Sequence, residues 1–370
     1  MARILIIGTA HPYRGGLATF NERLAQQFQR EGHEVALWTF TLQYPSFLFP
    51  GKTQYSSDPA PEGLTIERKL NSCNPLNWRK VAREARAWQP DILICCYWMA
   101  FFAPAYRTIC KMQDPRCKRI ALVHNLYAHE PSILDRVLLP GFLKSQYGFV
   151  TLSHSVAKHL IELTGKPVKV NPHPIYDHYG ERLTKAEACR QLGLDSRKKY
   201  LLFFGLVRAY KGLDLLLKAM ALLKSKDLHV HLLIAGEFYE DEEQYRQQIV
   251  RLGLSEQVTV RNEFIPDSAI KQYFGAADLV VQPYRSATQS GVTQVAFHFE
   301  KPILVTDVGG LGEIVHHGEM GYAVQPAAMP IAAAIEDYFT NDRQAAFTKA
   351  IQVEKSKYSW DKLTDKFLQI

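Results

Sequence analysis

Short apolar segments that end in glycine alternate with segments of helical periodicity along this chain, and the series occurs twice. The first series starts at residues 3–8, and the second starts after residues 168–173 with residues 200–205. An apolar run followed by a helical pattern predicts parallel strands joined by right-handed crossovers. We therefore expect an α/β fold with two Rossmann-like, doubly wound domains, which 370 residues accommodate better than one domain.

The predicted domain boundary lies between residues 172 and 173, so the C-terminal domain covers residues 173–355. The last segment, residues 360–370, has a helical pattern that fits packing on either domain. Residues 41–77 are rich in Pro, Ser and aromatic residues. They predict a long loop, which inside a compact domain is usually functional or mobile.

Charge is distributed unevenly between the two predicted domains. Residues 1–172 carry 21 Lys and Arg against 12 Asp and Glu, whereas residues 173–370 carry 23 against 25. A basic N-terminal domain predicts an anionic partner, such as an anionic membrane surface, a lipid pyrophosphate or an acidic glycan. Residues 78–88 place four cations between two tryptophans, which suits peripheral membrane contact, although a solvated helix face is the alternative.

Several classes of protein are not expected. We find no zinc-finger, RRM-like or helix-turn-helix signature for nucleic acid, and no stretch of roughly 18 apolar residues that would span a bilayer. Residues 1–8 predict a buried strand rather than a signal peptide. Six cysteines without regular spacing indicate reduced thiols in a cytoplasmic protein, and no Cys or His pattern predicts a metal site.

Two cations follow the strand predicted at residues 200–205. Arg208 and Lys211 lie in the turn GLVRAYKG, directly before a predicted helix. Ligands of doubly wound sheets bind at the carboxyl ends of strands, and a helix N-terminus favours anions. The pattern indicates a diphosphate site, and two solvated surface cations are the alternative.

A second candidate segment follows the strand predicted at residues 279–283. Small hydroxyl residues and Gly291 precede the helix predicted at residues 292–299, so backbone N–H groups could approach a phosphate. The hydroxyls could instead only cap the helix, whereas Gln289 has no clear capping role. The candidate ligand contacts are Tyr284, Thr288, Gln289, Ser290, Gly291, Val292 and Thr293.

The N-terminal domain carries weaker signals. Gly15 and Gly16 lie between a strand and a helix, either as a tight turn or for close approach to a sugar or phosphate. The G-x-G-x-x-G fingerprint is absent, which argues against a nicotinamide enzyme. The remaining candidates follow strands: His124 with His129 and Glu130 as a polar cluster, and Trp98 as part of an acceptor groove or of the core.

Taken together, these segments resemble the GT4 family of retaining glycosyltransferases (glycosyltransferase family 4). The resemblance covers nearly the whole chain. It implies the GT-B fold, with two Rossmann-like domains facing each other across a cleft and residues 356–370 packing back on the N-terminal domain. The matching segments are residues 15–16, 31–35, 205–212, 235–237, 301–303 and 309–315.

The resemblance implies transfer of a hexose, with retention, from a UDP- or GDP-linked sugar to a lipid-linked or cell-surface polysaccharide acceptor. It implies a donor site mainly in the C-terminal domain, no cofactor and no obligatory metal. A cytoplasmic enzyme of this kind would associate with the inner face of the cytoplasmic membrane.

The resemblance also assigns roles to single residues. Arg208 and Lys211 would hold the leaving diphosphate, with Gly16 near it, and His124 would lie near the transferred sugar. Further donor contacts would come from Glu237, from the backbone of Ile265 near the nucleobase, and from Glu313, which would lie either near the ribose or in the loop structure of the domain.

One departure from the family pattern matters. Many members carry a Glu-x7-Glu motif, whose two positions fall here on or beside Ala287 and Val295. The chain therefore resembles a subgroup in which amide and hydroxyl groups contact the donor sugar. A non-catalytic nucleotide-sugar or glycan-binding protein on the same fold is the alternative, and a phosphorylase or epimerase is the third.

Overall fold

The computed structural model describes residues 1–45, 53–56, 58–127, 133–239 and 242–370. The chain forms two compact units. Unit 1 comprises Met1–Pro174 and Ser359–Ile370, and unit 2 comprises Ile175–Tyr358.

The strands, in chain order, are β1 (Arg3–Ile7), β2 (Glu34–Leu42), β3 (Ile66–Asn71), β4 (Ile92–Tyr97), β5 (Lys118–Val123), β6 (Gly148–Thr151), β7 (Val168–Val170), β8 (Tyr200–Phe204), β9 (His231–Ala235), β10 (Val258–Arg261), β11 (Leu279–Gln282), β12 (Ile303–Thr306) and β13 (Gly321–Val324). The helices, in chain order, are α1 (Gly16–Arg30), α2 (Pro75–Trp88), α3 (Ala103–Lys111), α4 (Ile133–Ser145), α5 (His154–Leu163), α6 (Lys185–Leu192), α7 (Leu213–Ser225), α8 (Glu242–Arg251), α9 (Asp267–Ala276), α10 (Gly291–His298), α11 (Leu311–Ile314), α12 (Ala328–Thr340), α13 (Gln344–Glu354) and α14 (Trp360–Leu368).

Each unit is built on one sheet whose described strand pairs are all parallel. The order is β3-β2-β1-β4-β5-β6-β7 in unit 1 and β10-β9-β8-β11-β12-β13 in unit 2. The chain reverses its direction across the sheet between β1 and β4, and again between β8 and β11. Such switch points open a crevice at the carboxyl ends of the strands, where ligands of this architecture bind.

The central strands are apolar on both faces, because helices cover both sides of each sheet. β4 is buried along its whole length, and β1 is buried from Ile4 onward. Local caps fix where helices begin. Asn74 accepts hydrogen bonds from the backbone N–H groups of Leu76 and Asn77 ahead of α2, at 3.0 and 3.3 Å.

The C-terminal helix α14 packs on α1 in unit 1. The hydroxyl of Thr364 donates a hydrogen bond to Glu31 at 2.7 Å, and the rings of Phe28 and Phe367 lie 5.9 Å apart. Residues 356–358 belong to unit 2, where the carbonyl of Tyr358 accepts from the N–H of Ile175 at 2.9 Å.

The prediction of one long loop over residues 41–77 is wrong. β2 continues to Leu42, β3 pairs with it in parallel, and α2 begins at Pro75. β3 is an edge strand, in which only Leu70 is fully buried and the preceding positions are charged. Charged edges protect a sheet from pairing with other chains, and they also remove the apolar pattern by which a strand is recognised.

Gly212, which precedes α7, holds the loops after β8 and β11 together. Its φ is +68°, and a Cβ atom there would lie 2.0 Å from the carbonyl oxygen of Pro283. Only glycine allows this approach, because any side chain would have to displace backbone atoms.

We predict that Gly212→Ala lowers the free energy of unfolding by ~3 kcal/mol or more, since it adds an overlap with backbone to the strain of a positive φ. Gly193→Ala is the matched control in the same unit, with the same φ of +68° but no atom within 4 Å of its Cβ position. It should cost only about 1–2 kcal/mol. Urea unfolding of both variants measures the difference, and equal losses would contradict the close packing at Gly212.

Candidate functional site

The loops that follow β8 and β9 are joined by backbone hydrogen bonds beyond the ends of their strands. The N–H groups of Gly205, Val207 and Tyr239 donate to the carbonyls of Ala235, Glu237 and Val207 at 2.9, 2.9 and 3.1 Å. The loop that carries Arg208 and Lys211 is therefore fixed to the carboxyl edge of the sheet.

Arg285 attaches the loop after β11 to the loop after β8 and to the first turn of α7. Its guanidinium makes two hydrogen bonds of 2.7 Å to the carboxylate of Asp214 in the first turn of α7, and one of 3.0 Å to the carbonyl of Ala209. Its backbone N–H donates to the carbonyl of Tyr210 at 2.7 Å. Sequence reasoning did not select Arg285, because its carboxylate partner lies 71 residues away.

Lys211 is a buried cation, with 8% of its surface exposed. Burial, together with the nearby charge of Arg208, lowers the pKa of its ammonium group to about 8. The ammonium lies 5.6 Å from the ring centre of Tyr284. No side chain in the described part of the chain forms an ion pair or hydrogen bond with it. A buried charge without a partner is costly, so this position favours an anionic ligand.

Arg208 is exposed and stands at the start of a 3₁₀ turn over Ala209–Lys211. Its guanidinium stands 5.9 and 5.8 Å from the ring centres of Tyr210 and Tyr239. Within the residues that the structure describes, it has no carboxylate partner either. Two uncompensated cations next to the N-terminus of α7 can balance a diphosphate.

The N-terminus of α10 contributes the second predicted segment. Ser290 caps the helix by accepting from the N–H of Val292 at 3.3 Å, and the hydroxyl of Thr293 donates to Gln282 at 3.3 Å. These two hydroxyls therefore have internal partners. The buried Oε1 atom of Gln289 has none among the described residues.

Gln294 ends the predicted segment at α10, whereas Gln282 and Tyr176 beside it were not predicted. Gln294 is fully buried, and neither polar atom of its amide has a hydrogen-bond partner in the described structure; the same holds for Nε2 of Gln282. Tyr176 packs 3.1 Å from the position that a Cβ on Gly291 would take. Gln282 could have been found from the sequence, because it is the polar residue that ends the apolar strand LVVQ.

The other predicted donor contacts in unit 2 have different environments. Glu237 and Ile265 are buried, and the carbonyl of Glu237 accepts the hydrogen bond from Val207. Glu313 is exposed in the four-residue helix α11, and Thr288 and Val292 are half-buried. Tyr284 is buried, which raises the pKa of its hydroxyl, and its ring meets that of Tyr210 edge-on at 6.0 Å.

Gly15, Gly16 and His124 lie at the carboxyl ends of β1 and β5 in unit 1. Gly15 is the N-cap of α1 with φ of +104°, and Gly16 is exposed as its first residue. His124 is buried against Phe20, with ring centres 5.0 Å apart, and its Nε2 has no partner among the described residues. Burial and the nearby His173 lower the pKa of His124 to about 3, so its imidazole is neutral.

Trp98 packs on Phe102, with ring centres 5.2 Å apart, and its indole N–H has no hydrogen-bond partner in the described structure. His129 and Glu130 lie outside the described residues. In the part of the chain described here, no group of three or more His, Cys, Asp or Glu could hold a metal ion. No described helix combines the length and the apolar character that crossing a membrane requires.

Two family models match this chain. Residues 184–353, within unit 2, match the family described as Glycosyl transferases group 1. Residues 14–177, which cover most of unit 1, match Glycosyltransferase Family 4.

Relatives and solved structures agree with these matches. An uncharacterized glycosyltransferase of Methanocaldococcus jannaschii is 26% identical over 100% of this chain and 97% of its own length. The lipopolysaccharide 1,2-N-acetylglucosaminetransferase of Salmonella typhimurium is 25% identical over 71% of this chain and 68% of its own. Anabaena HepE, crystallised in complex with UDP and glucose, superposes with a TM-score of 0.75 at 17% identity, over 100% of this chain and 99% of that one. The predicted GT-B fold is confirmed.

We predict that Lys211→Met stabilises the free protein and weakens the binding of pyrophosphate. The pKa of Lys211 falls from 10.5 to about 8 on folding, so the unfolded chain holds more protons between these values. The resulting loss in the free energy of unfolding is fully present below pH 8 and disappears as pH rises toward 10.5. The variant should therefore gain up to about 3 kcal/mol at pH 7 and nothing at high pH.

Urea unfolding over this pH range and calorimetry with pyrophosphate measure both effects. Lys218→Met, an exposed lysine on α7, is the control and should change neither. In the wild type, pyrophosphate affinity should decline as pH rises above 8. A variant that loses stability at pH 7, or that still binds pyrophosphate with wild-type affinity, would contradict the assignment.

Proposed function

This chain is a glycosyltransferase of the GT-B fold, with Glycosyltransferase Family 4 and Glycosyl transferases group 1 domains, and we propose that it transfers a hexose from a nucleotide-diphosphate sugar with retention. The donor is linked to UDP or GDP. The acceptor is a lipid-linked or cell-surface polysaccharide, and the enzyme works at the inner face of the cytoplasmic membrane.

The observation that carries this proposal is the buried ammonium of Lys211, which no described carboxylate neutralises. When the bond between the sugar and the diphosphate breaks, the leaving diphosphate takes the electron pair and gains negative charge. Lys211, Arg208 and the N-terminus of α7 would be in place to stabilise that charge before the reaction begins. Such preorganised electrostatic stabilisation is usually the largest single contribution to catalysis.

The donor sugar would be held by neutral groups. The segment from Tyr284 to Gln294 contains no carboxylate, and Ala287 and Val295 occupy the places where many family members carry glutamates. The amide of Gln289 and the buried amides of Gln282 and Gln294 supply unused donors and acceptors instead. Without a carboxylate in this segment, we expect no glycosyl ester to form on it.

The acceptor class rests on unit 1 and on the relatives. The neutral His124 and the indole of Trp98 offer unpartnered polar atoms at the carboxyl edge of the sheet, within the described structure. The Salmonella relative is named for acting on lipopolysaccharide. The UDP in the HepE structure supports a nucleotide-sugar donor.

We predict that Arg208→Ala lowers kcat for sugar transfer about 10²–10³-fold, since one preorganised charge is lost where the leaving group develops its own. Arg197→Ala, which removes an exposed arginine of the same unit, is the control and should retain activity. A panel of UDP- and GDP-sugars with lipid-linked acceptors identifies the donor. NMR of the first product should show the anomeric configuration of the donor, whereas an inverted product or an active Arg208→Ala enzyme would refute the proposal.

We also expect transfer to continue after exhaustive treatment with a metal chelator. Arg208 and Lys211 supply the positive charge that a divalent ion would otherwise bring to the diphosphate. Initial rates with and without added Mg²⁺ or Mn²⁺ measure this. Complete loss of activity in the chelator, restored by one metal, would show that these two cations do not suffice.

A further inference from the structure

The helices of unit 1 form two layers, one on each face of the sheet. The steps from β4 to β5, β6 and β7 all cross the sheet in one direction, so right-handed crossovers place α3, α4 and α5 on the same face. α2 packs on α3, and α3 packs on α4. The step from β1 to β2 runs in the opposite direction, which places α1, together with α14, on the other face. We call the first set the α2–α5 layer.

The positive charge of unit 1 is concentrated on the α2–α5 layer. Its helices carry nine Lys and Arg against three Asp and Glu, whereas α1 and α14 carry four against three. All nine of these cations are exposed, and α2 alone contributes Arg79, Lys80, Arg83 and Arg86. Glu84 is half-buried and already paired with Lys69 at 3.0 Å. The excess charge therefore faces solvent rather than an internal partner.

Large apolar side chains are exposed among these cations. Leu76 on α2, Val137 on α4 and Ile161 on α5 are 75%, 69% and 62% exposed. The two tryptophans of α2 instead contact other residues of unit 1. Trp78 donates its indole N–H to the carbonyl of Asn71 at 2.8 Å, and the guanidinium of Arg3 lies 4.4 Å from the ring centre of Trp88.

We propose that the outer surface of the α2–α5 layer lies on an anionic phospholipid bilayer. Four neighbouring helices, each about 10 Å across, form a strip about 40 Å wide. That width exceeds what a nucleotide sugar or a short glycan can cover, and a planar partner fits it. Cations attract anionic headgroups, and the scattered apolar side chains enter the boundary between headgroups and acyl chains. This proposal rests on the proposed function in one respect: a lipid-linked acceptor gives the enzyme a reason to contact the membrane.

The test is co-sedimentation of the 370-residue chain with phosphatidylglycerol-containing vesicles, and with pure phosphatidylcholine vesicles for comparison. We expect binding to the anionic vesicles only, weakening as NaCl is raised. The double variants R79E/R83E and K144E/K158E reverse exposed charges on the layer and should each bind at least about tenfold more weakly. V137S/I161S should remove the binding that persists at high salt.

R30E/K362E is the matched control, because it makes the same change in net charge on the opposite helix layer, where both residues are exposed. It should bind vesicles like the wild type. An equal loss in this control would overturn the proposal, since attraction would then follow net charge alone. Equal binding to phosphatidylcholine vesicles, or binding of soluble dextran sulfate without binding of vesicles, would also overturn it.

Folding and donor binding are measured on the same variants. Unchanged thermal unfolding and unchanged UDP binding in R79E/R83E would assign its loss of vesicle binding to the surface. If the wild type transfers sugar but ignores anionic vesicles, the surface assignment fails and the proposed function stands. If it binds vesicles as expected but transfers no sugar, the proposed function fails and the surface assignment stands.

Discussion

Right-handed crossover in a parallel sheet is the constraint on which the other features of this protein depend. In unit 2 it sends the helices that follow β8 and β11 to opposite faces of the sheet, and the candidate site lies at the carboxyl ends of these two strands. In unit 1 it assigns each helix to one of two layers. The cations of α2 to α5 consequently share a face, although they are distributed over 80 residues of the chain between Arg79 and Lys158.

The cations of the candidate site differ in whether a carboxylate pairs with them. Arg285 is fixed by two hydrogen bonds to Asp214, so its charge is compensated and its role is to join two loops. Lys211 and Arg208 lie in the adjoining turn without such a partner among the described residues. Desolvation of Lys211 costs free energy in the unliganded protein, and a bound anion would offset that cost. The enclosed cation therefore makes this site favour an anionic ligand.

The sequence predicted the α/β architecture, most strand positions and the turn that carries Arg208 and Lys211. It failed at β3, where the charged residues of an edge strand conceal the alternation of apolar positions. It left two interpretations of residues 78–88 open, and the structure shows only that both tryptophans of this segment contact other residues of unit 1. Arg285 and Gln282 were missed for one reason, which is that their significance depends on whether distant residues meet their polar atoms.

Apolar periodicity and glycine at strand ends are local properties, so the sequence by itself determined that this chain folds as two doubly wound units with cations after β8. Burial and pairing are properties of the assembled fold. Tertiary structure alone decided that Lys211 is enclosed with a lowered pKa, that Arg285 is neutralised by Asp214, and that the basic helices of unit 1 share one face. The physical reason is that desolvation and Coulomb energy depend on distances between segments that the chain order does not contain.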